Sequence, residues 1–135
     1  MDKATNVDFK DEAAQAGQLE AEAKAQADLE TYTHKLQRPF TWEGRRVEEL
    51  HFDWGSLTGQ DYVAVEDTLL RRGVTLVMPE YTGGFLCGMA VRACTDVDKD
   101  KGGARFVDEG FLQGLPLREY KAILGRARGF LLRQG

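Results

Sequence analysis

The chain has 135 residues, 42% of them hydrophobic and 30% charged, with a formal net charge of −4. That length suits one domain able to bury a core without disulfides or metals, and two cysteines are too few for a disulfide scaffold. No charged-then-apolar leader opens the sequence and no apolar run nears the roughly 20 residues of a membrane span, so a soluble cytoplasmic protein with no membrane partner is expected.

The charge is unevenly placed. Residues 1–37 hold eight acids against four lysines, whereas residues 38–135 carry fourteen charges of each sign. A body that is neutral overall argues against nucleic acid as the primary ligand, because neutralising phosphates takes a clear surplus of basic charge on one face. Residues 1–37 are read as an acidic, Ala-rich extension, helical or disordered. Alanines from Ala13 to Ala27 favour a helix over Ala13 to His34 but supply little area to bury, with disorder before it. Leu29, Tyr32 and Leu36 form the one stretch spaced to dock against something, either as an arm for self-association or client binding, or as a solvated extension.

From Pro39 the pattern changes to apolar and polar alternation. Phe40 and Trp42 precede a Glu43-Gly44 turn, and Leu50, Phe52 and Trp54 follow it, which predicts a hairpin over about 39–54. Its parity breaks between Val47 and Leu50, so a bulge is expected at Glu48 and Glu49. Thr58 with Asp61 three residues on is a helix-start signal, followed at helical spacing by Tyr62, Val65 and Leu69 and closed by Arg71-Arg72-Gly73. Trp42, Phe52, Trp54 and Tyr62 are read as core.

Val74 to Met78 is an apolar run expected to be an extended connector. Pro79 predicts a new helix start, and the helix from Tyr81 to Cys94 is apolar almost all round, so it is either the centre of the core or a surface in need of a partner. Its Gly83, Gly84 and Gly88 let another backbone come close. Thr95 to Arg105 reads as a polar loop. Phe106 to Gln113 reads as a short helix with Asp108 as its cap and Gly114 as its stop. Pro116 opens a last helix in which Leu117, Tyr120, Ile123, Leu124, Ala127, Phe130 and Leu131 make a continuous stripe. The fold class is therefore α+β, mainly α: a hairpin and about four helices over residues 38–135.

Three pieces in order, the Pro39-Phe40 hairpin with Gly44, the Leu57-Thr58-Gly59-Gln60-Asp61 helix start and the closing helix Leu115 to Leu132, resemble the small tail assembly chaperones of long-tailed bacteriophages and prophages. The resemblance covers residues 38–133. It implies a non-catalytic helper that binds the tape measure protein and helps recruit tail tube subunits during virion assembly in the host cytoplasm. The apolar helices nominate Tyr81, Phe85, Met89, Leu117, Tyr120, Phe130, Leu131 and Leu132 as partner-binding residues. The alternative is a structural tail component that self-associates through its N-terminal helix.

Chemical sites are thin in the sequence. Asp96, Asp98 and Asp100 alternate as calcium ligands do, but Lys101 and Val107 stand where an EF-hand loop needs Gly and Glu. A small calcium-responsive module is thus a further alternative, while no metal or cofactor is expected. His34 lies in the extension and His51 on the outward face of the second strand, neither with a second ligand at zinc spacing. Cys87 and Cys94, about 10 Å apart on a helix, read as buried hydrophobes with raised thiol pKa values, not as nucleophiles or a disulfide. No catalytic constellation is legible.

Overall fold

The computed structural model describes residues 14–22 and 29–134. Residues 14–22 and 29–30 are helical and belong to a separate compact unit, Met1–Glu30, while Thr31–Gly135 forms the second unit. Ala13, the stretch 23–28 of the expected leader helix and the disorder expected before it lie outside the described residues. The rest of that expectation is corrected: Thr31 to His34 are not helix but the start of a strand, and the folded body begins at Thr31, not at Arg38.

The body is α+β and mainly α. A hairpin of β1 (Thr31–Trp42) and β2 (Arg45–Asp53) is followed by α1 (Gly59–Arg71), α2 (Gly83–Ala93), a small hairpin of β3 (Val97–Asp98) and β4 (Ala104–Arg105), then α3 (Glu109–Gly114) and α4 (Leu117–Arg133). The β1–β2 hairpin is longer than the predicted 39–54 because Tyr32, His34 and Leu36 continue the alternation backward. Its turn is built by Glu43 and Gly44, with φ of 49° and 79°, the pair of left-handed conformations that matches the twist of a two-residue hairpin. The register runs regularly from Thr31↔Asp53 to Lys35↔Glu49 and resumes at Phe40↔Val47. The extra residues therefore sit on β1, at Leu36 to Pro39, and not at Glu48 and Glu49 as the parity break suggests. Pro39 lies in the irregular stretch, where the missing N–H breaks no ladder bond.

α1 starts where the sequence places it. The Thr58 side chain accepts from the Asp61 N–H, and the Thr58 N–H donates to Asp61 Oδ2 at 2.8 Å, a reciprocal cap with Asp in place of the usual Glu. The same carboxylate accepts from Arg92 of α2 at 2.8 Å, so one residue caps α1 and ties it to its neighbour. Pro79 opens a short 3-10 turn, Pro79–Tyr81, and α2 begins only at Gly83, later than the predicted Tyr81. The expected polar loop contains the β3–β4 hairpin, joined by a 3-10 turn at Lys99–Lys101. Asp108 caps α3 by accepting from the Phe111 N–H at 2.7 Å.

α2 lies at the centre. Phe85 through Ala90 are six consecutive buried residues. Phe85 and Met89 share one face with Val65 and Leu69 of α1, while Leu86, Cys87, Ala90 and Ala93 join Leu50, Phe52 and Trp54 of the hairpin region to Phe111, Ile123 and Ala127. The hairpin grips α3 through Phe40 and Trp42, both edge-on to Phe111 at 5.2 and 5.7 Å. A buried polar contact fastens β1 to α4: His34 Nε2 lies 2.8 Å from Glu119 Oε2, and His34 Nδ1 lies 2.6 Å from the Tyr32 hydroxyl. A neutral imidazole satisfies both, donating to the carboxylate and accepting from the phenol. Both charged-type side chains are buried, so removing either leaves the other unsatisfied in a low-dielectric interior.

The α1–α2 crossing is set by Gly88. A Cβ there would stand 2.6 Å from Val65 Cγ1, far inside contact distance. Overpacking of this kind costs about 1–3 kcal/mol, against a gain of about 1 kcal/mol from replacing a helical glycine by alanine. Gly88→Ala is expected to lower the urea midpoint, and the loss should shrink when Val65→Ala makes room. A Gly88→Ala variant as stable as the parent would show that α1 and α2 do not cross there.

Candidate functional site

Two polar clusters carry the side chains best placed for chemistry. His51 on β2 has both ring nitrogens facing carboxylates, Nδ1 to Asp96 at 2.8 Å and Nε2 to Glu49 at 3.2 Å. Cys94 donates its thiol to Asp96 Oδ2 at 3.3 Å, and the His51 N–H donates to the same oxygen at 2.7 Å. The imidazole thus addresses the carboxylate and not the sulfur, and burial pushes the Cys94 thiol up to about 12. Cys87, buried in α2, is pushed up to about 11 by the same cause. Neither arrangement generates a thiolate nucleophile. The cluster is a clasp between β2 and the segment after α2, where Thr95 also donates its N–H to the His51 carbonyl at 2.9 Å.

A second candidate is a cleft of about 570 Å³ between the β1–β2 turn and the β3–β4 hairpin. Several of its polar side chains are held within the chain. Arg45 pairs with the buried Asp98 and lies 4.6 Å over the Phe106 ring, Asp98 also accepts from the Asp100 N–H at 3.0 Å, and Arg105 donates to the Arg92 carbonyl. Two of the three aspartates of the calcium-like sequence, Asp96 and Asp98, are thereby engaged by His51 and Arg45. Among the described residues no group of three or more His, Cys, Asp or Glu is arranged to hold a metal ion.

The remaining candidate is apolar. The connector after α1 turns Val74 and Leu76 inward, onto the cluster of Val65, Leu69, Phe85 and Met89, and leaves Val77 83% and Met78 58% exposed. Tyr81, at the end of the following 3-10 turn, is 55% exposed and carries Arg128 of α4 over its ring at 5.4 Å. Arg128 Nε also donates to the Glu80 carbonyl at 3.3 Å, which binds α4 to this turn. Leu131 packs onto the same cluster, and Leu132, one helical turn beyond Arg128, is 49% exposed. Val77, Met78, Tyr81 and Leu132 therefore form an apolar band where the connector meets the C-terminal end of α4.

The structure sends the sequence-nominated residues to four different places. Tyr81, Leu131 and Leu132 come together at this band. Phe85, Met89 and Phe130 are buried, at 0%, 1% and 8% exposure, and serve the core of the folded chain. Tyr120 is half-buried, hydrogen-bonded to Cys87, with its phenol pushed up to about 12 chiefly by burial. Leu117 is exposed, but fifteen residues of helix put it about 22 Å from Leu132, so it belongs to another part of the surface. Val77 and Met78 were not nominated. Their signal was present, since five residues of extended connector, Val-Thr-Leu-Val-Met between Gly73 and Pro79, cannot all face one core.

No helix among the described residues is long and apolar enough to cross a membrane. Comparison with protein-family models, with curated proteins and with solved structures gave no match to this chain.

The His51 clasp carries a pH dependence. The hydrogen bond to Asp96 raises the His51 pKa above its ordinary 6.5, aided by the charges of Asp96 and Glu49 and opposed by partial burial. A raised folded-state pKa means that the clasp contributes its full stabilisation below about 6.5 and loses it as pH rises through the folded value. NMR titration of His51 should give a pKa above 6.5 that falls in Asp96→Asn. A value at or below 6.5 in the parent chain would contradict the clasp.

Proposed function

We propose that this chain is a non-catalytic tail assembly chaperone that holds apolar helices of the tape measure protein and helps recruit tail tube subunits in the cytoplasm of the host cell. The observation that carries the proposal is the band of Val77, Met78, Tyr81 and Leu132, exposed on a body whose own core is already complete. Contiguous apolar surface on a soluble domain marks a place for a partner. An amphipathic client helix presents one apolar stripe, which suits a shallow surface with a flexible methionine and an aromatic ring held by an arginine. The chaperone resemblance of residues 38–133 supplies the identity of the client, and the balanced charge of the body is compatible with a client held by apolar contact.

The test is co-expression with the tape measure protein. The parent chain is expected to keep the client soluble and to co-purify with it, whereas Val77→Asp with Met78→Asp should lose both effects. Both positions are more than half exposed, so the change in stability should stay within about 0.5 kcal/mol. Leu117→Ser, at the far end of α4, should behave as the parent does. A client equally soluble without the chain would overturn the reading. Recovery of the chain from purified virions would favour a structural tail component instead.

A further inference from the structure

We infer that a second copy of this chain adds across the outer edge of β2, making a two-fold dimer through an antiparallel β2–β2 pair centred on Val47. β2 is hydrogen-bonded to β1 along one edge. On its other edge the backbone partners gather at the Asp53 end, where Phe52 bridges Cys94 and the His51 carbonyl accepts from Thr95. Beside Arg45 to Glu49 runs instead a groove of about 330 Å³, with Val97 and Phe106 also lining it. Arg46, Glu48 and Glu49 are exposed along this stretch.

The charge pattern identifies the occupant. Residues 45–49 read Arg-Arg-Val-Glu-Glu. In an antiparallel pair centred on Val47, each residue faces the one equally far on the other side of the centre. Arg46 then meets Glu48 of the second copy and the two Val47 residues face each other, while Arg45 and Glu49 keep their partners Asp98 and His51 within each copy. Moving the centre by half a residue either way sets Arg46 or Glu48 opposite Val47, so this is the register that pairs the two charges not held by Asp98 or His51. Unlike charges directly opposite across a strand pair stabilise it and like charges destabilise it. A two-fold interface needs a self-complementary surface, and this edge has one.

The same residues work against other strands. Charged side chains on an edge discourage arbitrary strand addition, and the rule is relaxed only for a partner with the mirror-ordered charges. β1 is guarded differently, by the irregular stretch from Leu36 to Pro39. Within one copy Arg46 and Glu48 lie 3.3 Å apart on an exposed surface, with side chains 68% and 69% accessible, so each is free to exchange its intrachain contact for one across the pair.

Sedimentation velocity on the full chain over a concentration series tests this. The parent chain is expected to show a monomer–dimer equilibrium. Arg46→Glu and Glu48→Arg should each weaken it by roughly tenfold or more, because each sets like charges opposite one another at two symmetric places. Mixing the two variants should restore association, since the doubly acidic strand of one then faces the doubly basic strand of the other. Neither variant keeps the intrachain Arg–Glu pair, so this recovery can come only from across the interface. A parent chain that stays monomeric throughout, single variants that associate as the parent does, or a mixture no more associated than its components would each overturn the proposal.

Discussion

A helix that is apolar all the way round has to be covered on every side, and α2 imposes that requirement on the rest of this fold. Its six consecutive buried residues expose no polar stripe that could face water. α1 covers Phe85 and Met89, while the hairpin with α3 and α4 covers Leu86, Cys87 and Ala90. Gly88 permits the closest of these contacts, against Val65. The arrangement engages apolar side chains of its neighbours: Leu50, Phe52 and Trp54 from the hairpin region, and Ile123, Ala127 and Phe130 from α4. The helix that reads in sequence as either the centre of the core or a surface for a partner is the piece around which the domain is assembled.

For the proposed client site the consequence is a shift from α2 to the connector. With α2 enclosed, exposed apolar area is left where the chain cannot be folded inward. The connector runs from Gly73 through Val74 to Leu76 and then bends at Val77 and Met78, so Val74 and Leu76 enter the core while the bend turns Val77 and Met78 outward before Pro79. Tyr81 and Leu132 join them because Arg128 holds the end of α4 against the 3-10 turn. Covering α2 and exposing the connector are thus two results of the same packing, and a partner can use the band without opening the core.

Local signals in the sequence were readable wherever their physics is local. Thr58 with Asp61, Asp108 before α3, Pro116 before α4 and the Glu43-Gly44 turn each act within a few residues, and each appears where the pattern puts it. β1 was harder to read. Leu29, Tyr32 and Leu36 fit a helical spacing beneath an alanine-rich run, whereas the strand reading needs His34 to count as an inward residue. It points inward because Glu119, 85 positions away, receives its hydrogen bond, and no local rule contains that partner. The β3–β4 hairpin was hidden for a similar reason, since its Asp98 is buried against Arg45, far back at the first turn. Of the candidate site, Tyr81 and the end of α4 were legible as apolar excess. Whether Phe85 and Met89 faced a partner or α1 depended on how helices cross, which a stripe of apolar residues does not encode.

The packing of the other elements follows from the enclosure of α2 in the folded chain. Thiol labelling of the native protein measures this most directly, because Cys87 is 1% exposed in the middle of that helix and Cys94 is 2% exposed at its end. With both thiols buried and their pKa values raised to about 11 and about 12, labelling should be slow and should accelerate only across the unfolding transition in urea. Rapid modification of Cys87 in the absence of denaturant would contradict the account and return α2 to the surface as the partner-binding helix.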